Sequence, residues 1–153
     1  MGSSSSSSAS AFGGSAGGWV KERFLRQRRY IADLTVNTES GDTIAVDVQM
    51  RTYAEDSTNE YVDADETVDF LVELREAAAD NLPSAAAFTL AETGDGSEIS
   101  TTGRTVAIMR SSSAGAAQVT VTDVATGSGV KLYVLIQPLN VPGYPSYTSV
   151  TFD

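Results

Sequence analysis

The chain has 153 residues, of which 41% are hydrophobic and 20% charged, and it contains neither cysteine nor histidine. Its length suits a single core. The missing residue types exclude disulfides, thiolate metal sites, thiol nucleophiles and any Ser-His-Asp triad. Twenty acids against ten bases give a formal charge of −10, which disfavours nucleic acid as the main partner.

The charge is unevenly distributed. Residues 1–29 hold Lys21, Arg23, Arg26, Arg28 and Arg29 against Glu22 alone. Residues 30–153 hold the other five bases and 19 acids. The sequence thus predicts a basic arm (1–29) and an acidic folded body (30–153).

Sixteen of the first eighteen residues are Gly, Ala or Ser. Such a segment has almost no apolar surface to offset chain ordering, so it reads as a flexible arm. It has neither the charged start nor the apolar stretch of a signal peptide, and no run in the chain approaches a membrane span. Trp19 to Tyr30 (WVKERFLRQRRY) is different material. Val20 and Phe24 are four apart, which allows two or three helical turns. As a docking anchor, Trp19 and Phe24 would insert while Lys21, Arg23, Arg26, Arg28 and Arg29 pair with carboxylates on a neighbour. The same segment could instead pack on its own acidic body, or bind nucleic acid or an anionic lipid.

From Tyr30 onward the hydrophobic period is two. Tyr30 to Thr38 reads as a first strand, followed by a turn at Ser40-Gly41-Asp42. Asp42 to Arg51 then puts Ile44, Val46, Val48 and Met50 on one face and Ala45, Asp47, Gln49 and Arg51 on the other. Thr67 to Glu76 alternates through Val68, Phe70, Val72 and Leu74, with Leu71 the exception. A helix over this stretch keeps fewer apolar matches, and its β-branched content favours a strand.

Ten carboxylates lie between Glu55 and Asp80, densest at Asp63-Ala-Asp65-Glu66. Asp-x-Asp can offer two oxygens to a hard cation, but no glycine-bearing calcium loop is present. The segment reads as a solvated acidic face, and no metal or cofactor is expected.

Further strands are expected at Phe88–Glu92, Arg104–Arg110, Gln118–Asp123, Val130–Gln137 and Tyr147–Phe152. Gly/Ser/Asp-rich breaks separate several of them. In Val130–Gln137, Val130, Leu132, Val134 and Ile136 share one face. The opposite face carries Tyr133 and Leu135, more apolar than solvent exposure requires. They would be covered either by the chain's own termini or by another subunit. The Pro-rich tail from 138 cannot be a central strand, and Val150 and Phe152 would pack on a sheet edge, its own or a neighbour's. Seven or eight short strands in about 124 residues suggest an all-β, Ig-like antiparallel β-sandwich with an N-terminal arm and a short basic helix. The antibody signature of a cysteine pair around a core Trp is absent.

The run from Arg28 through Arg51 (RRYIADLTVNTESGDTIAVDVQMR) resembles the opening of small Ig-like structural proteins of tailed bacteriophages. Residues 96–108 and 117–123 also resemble bacterial and phage Ig-like repeats. The likeness covers about 120 residues and contains no catalytic motif. It implies a multi-copy virion protein and no enzyme: a neck or tail adaptor that anchors fibres, or a head-decoration protein. Its partners would be portal, neck, tail, fibre or capsid subunits, together with further copies of itself in a homo-oligomer or symmetric multi-copy assembly, without nucleic acid or membrane. The partner-binding residues would be those of the basic anchor together with Tyr133 and Leu135. A rival reading is an adhesion module whose loops bind a host glycan or receptor.

Overall fold

The computed structural model describes residues 29–53, 60–76, 87–102, 105–124 and 129–153. Among them are ten strands and no helix. They are β1 (Arg29–Val36), β2 (Thr43–Tyr53), β3 (Tyr61–Asp63), β4 (Asp69–Glu76), β5 (Phe88–Glu92), β6 (Ser97–Thr102), β7 (Val106–Arg110), β8 (Ala116–Asp123), β9 (Lys131–Pro138) and β10 (Ser146–Thr151).

The strands form two antiparallel sheets in the manner of a β-sandwich. One runs β10-β9-β4-β7-β6; the other runs β1-β2-β8-β5, with β3 paired to β2. Alternation sends every second side chain inward. Phe70, Val72, Leu74, Met109, Leu132, Val134 and Ile136 are buried from the first sheet. Ile44, Val46, Val48, Met50, Val119 and Val121 are buried from the second. All belong to one continuous core.

Tyr53, Glu60 and Tyr61 belong to a second unit. Within it the Tyr53 and Tyr61 rings lie 4.8 Å apart, tilted by 43°.

The expected turn between the first two strands is present. Gly41 has φ +64, a left-handed conformation with little cost for glycine. Asn37 N–H donates to Ala45 O at 2.9 Å beside it. The segment 69–76 is a strand, as its β-branched content indicated. Arg29, counted with the arm on sequence grounds, is instead the first residue of β1. The expected basic helix and the Gly/Ser arm fall outside the described residues.

Two strands had no period-two signal. β6 (SEISTT) is an edge strand with a register shift between Glu98 and Ser100, and its one large apolar residue, Ile99, faces solvent. Because it buries no apolar row, nothing in its sequence separates it from a loop. β3 is only three residues long and wholly exposed.

The C-terminal tail closes the fold on itself. After Pro138, Leu139 N–H donates to Asp69 O at 2.8 Å. The chain then crosses to the other sheet, where Tyr30 N–H donates to Pro142 O and Tyr144 N–H to Tyr30 O. It returns as β10 along the free edge of β9. Val150 and Phe152 are each 1% exposed. They therefore pack on the chain's own core, which resolves the alternatives left open by the sequence.

Candidate functional site

The inward alternation of β4, β7 and β9 fixes what they present outward. Tyr133 lies between Arg75 on β4 and Ser149 on β10; Leu135 lies between Glu73 and Tyr147. Gln137 stands opposite Leu71, and Leu71 opposite Ile108. The outer face of this sheet therefore carries a row of tyrosine and aliphatic side chains where a solvated face would be polar.

The Tyr133 and Tyr147 rings meet edge to face at 5.8 Å and 83°, an arrangement favoured by the ring quadrupoles. Lys131 Nζ sits 5.9 Å from the Tyr133 ring centroid, within cation–π range. Arg75, Tyr133, Leu135 and Tyr147 line a shallow depression of about 410 Å³. Tyr147 is 69% exposed, so β10 extends the patch at its edge and does not cover it.

Among the described residues, the two outward carboxylates of β4, β7 and β9 are both paired. Arg75 donates to Glu73 Oε1 through Nη2 at 2.7 Å and Nε at 3.1 Å. Arg110 grips Asp69 with two parallel bonds, Nε to Oδ1 at 2.7 Å and Nη2 to Oδ2 at 3.1 Å. The hydrogen bonds from Arg110 hold the Asp69 carboxyl below its ordinary value, against a smaller opposing effect of burial. The same bonds raise the Arg110 guanidinium.

The outer face of the second sheet is chemically opposite. Asp47 accepts from Asn37 Nδ2 at 3.1 Å and from Gln118 Nε2 at 2.7 Å. Arg51 bonds Asp33 at 3.1 Å, and Gln49 Nε2 donates to Ala114 O at 3.0 Å. This polar surface spends its hydrogen-bonding groups on itself.

Of the residues singled out from sequence, Trp19, Lys21, Arg23, Phe24, Arg26 and Arg28 lie outside the described residues. Arg29 opens β1 in the other sheet. Tyr133 and Leu135 lie together on the outer face, and Tyr147 joins them, a residue that sequence reasoning had placed only in a C-terminal strand. Leu71, the one exception to inward alternation in its strand, also points to this face. In β7 the buried side chains are Ala107 and Met109, leaving Val106 and Ile108 outward. A VAIM segment is apolar on both faces, so its orientation was not readable.

The described members of the acidic segment are dispersed. Asp63 pairs with Arg51 at 3.3 Å, and Glu66 accepts from the Tyr30 hydroxyl at 3.0 Å. Among the described residues, no group of three or more acids is placed to hold a metal ion. Also among them, no helix is long and apolar enough to cross a membrane.

No protein family matches the chain, and no curated protein is similar to it. Among solved structures it is similar to the GAE domain of GGA2p from Saccharomyces cerevisiae, at 11% identity. That match covers 83% of this chain and 87% of that one, with a TM-score of 0.27, too low to equate the two folds.

Proposed function

We propose that this chain is a structural assembly protein of a tailed-phage virion, an Ig-like sandwich that binds other virion subunits and does no catalysis. The observation that carries the reading is the outer face around Tyr133, Leu135 and Tyr147. Aromatic and aliphatic side chains backed by a rigid sheet are what a protein interface needs, because they bury area at little cost in side-chain entropy. The likeness of Arg28–Arg51, 96–108 and 117–123 to phage Ig-like proteins supports the setting. In this reading Trp19 and Phe24 anchor the N-terminal segment on a neighbouring virion protein, and its arginines pair with acids there. A neck or tail position as a fibre-anchoring adaptor suits an arm that reaches between subunits of a ring, with head decoration as the other site of the same class.

The test is complementation of a phage lacking the gene. Wild-type chain should copurify with particles, and a chain lacking residues 1–28, which leaves β1 whole, should fold but stay free. Normal incorporation of the truncated chain would sink the docking role of the segment. If that chain instead binds host cells through its loops, the protein is an adhesion module.

A further inference from the structure

Charge on the body is sorted by face. Residues 30–153 contain five bases and 19 acids. Three of those bases, Arg75, Arg110 and Lys131, occupy outward positions of β4, β7 and β9, with only Asp69 and Glu73 among the acids. Both of these acids are ion-paired within the face. Across these three central strands the apolar patch therefore lies among groups close to charge balance, on a body whose overall sum is strongly negative.

Two copies of a chain carrying −10 repel each other in most orientations. Two of these faces can approach without that repulsion, and each offers the other an apolar centre. We infer that a second copy of this chain occupies the face, forming a two-fold dimer through Tyr133, Leu135 and Tyr147.

The dimensions are adequate. Five strands of five to eight residues, spaced about 4.8 Å apart and rising about 3.4 Å per residue, give a projected area of roughly 500 Å² per copy. Standard stable interfaces bury about 800 Å² of accessible surface per partner, and accessible area exceeds projected area. A like patch meeting itself is the commonest symmetric arrangement. The inference rests on reading this face as a protein contact, but its test needs no phage particle.

Sedimentation equilibrium of the full chain should give a dimer. Leu135→Arg puts a charge at the centre of the contact. Tyr147→Ser trims an exposed ring at its edge, so this variant remains informative if Leu135→Arg fails to fold. Each should weaken self-association by about 30-fold or more. Thr35→Arg, on the opposite outer face, should leave the dimer intact. A wild-type chain that stays monomeric at high concentration overturns the inference, as does a dimer insensitive to Tyr147→Ser. A monomer that still enters particles would refute the dimer and leave the assembly reading standing.

Discussion

Replacing Phe152 by alanine tests whether the last residues are part of the core. The ring is 1% exposed, and its centroid lies 6.1 Å from that of Phe88 on the facing sheet. The backbone on either side is held independently: Phe152 N–H donates to Val130 O at 2.9 Å, and Gly129 N–H to Phe152 O at 2.6 Å. Alanine keeps both bonds, so the loss is that of the side chain alone. Truncating a buried Phe costs about 3–5 kcal/mol in lost transfer energy plus the cavity left behind. The pairing with Phe88 adds about 0.5–1.5 kcal/mol. A loss of at least the lower end of the truncation range, about 3 kcal/mol, is expected. That is a large share of the roughly 5–15 kcal/mol typical of a domain. Urea denaturation of dilute protein should show this loss with an unchanged m-value. Tyr147→Ala, on the adjoining strand but facing out, should cost about 1 kcal/mol or less under the same conditions, since it loses only the edge contact with Tyr133. A loss below about 1 kcal/mol for Phe152→Ala would refute the packing of the tail into the core.

Three further substitutions probe other parts of the argument. Glu92 accepts from three backbone N–H groups, those of Gly94, Gly96 and Gln118 at 3.0, 3.1 and 2.9 Å, and so ties the β5–β6 turn to β8. Glu92→Ala should cost about 2 kcal/mol by urea denaturation, and a neutral effect would mean water replaces the carboxylate. Gly115 has φ +78, and a Cβ there would come within 3.1 Å of Gln49 Nε2 and 3.3 Å of Met50 O, whereas one at Gly41 would meet nothing within 4 Å. Gly115→Ala should therefore lose about 2 kcal/mol and Gly41→Ala about 1, the left-handed strain being common to both; equal losses would refute the contact argument. Because Arg110 depresses the Asp69 carboxyl, the pair stabilises the fold above the ordinary carboxylate value of about 3.9, and the contribution disappears as pH falls through the lower folded-state value. The stability gap between wild type and Asp69→Asn should narrow across that acid window, and a gap independent of pH would refute the linkage.

The inner architecture was legible because burial of one face imposes period two. Ile44 to Met50 and Leu132 to Ile136 alternate cleanly, and each strand was located to within a residue or two. Where a strand buries nothing, as in β6, the physical cause of the pattern is missing and so is the signal. Where both faces are apolar, as at Val106–Met109, the strand is visible but its orientation is not. The outer site was half legible for the same reason: Tyr133 and Leu135 break the polar expectation within one strand. Tyr147 becomes their neighbour only through the pairing of β10 with β9, which local sequence does not encode. The sorting of Arg75, Arg110 and Lys131 onto that face also depends on pairing across β4, β7 and β9. Net charge along the chain conveys none of it.

A cryo-EM map of purified particles from a tailed phage encoding this chain tests the central claim most directly. The account predicts density for the chain in multiple copies, with Tyr133, Leu135 and Tyr147 buried against protein. Particles without the chain, or copies whose Tyr133–Tyr147 face is open to solvent, would contradict it.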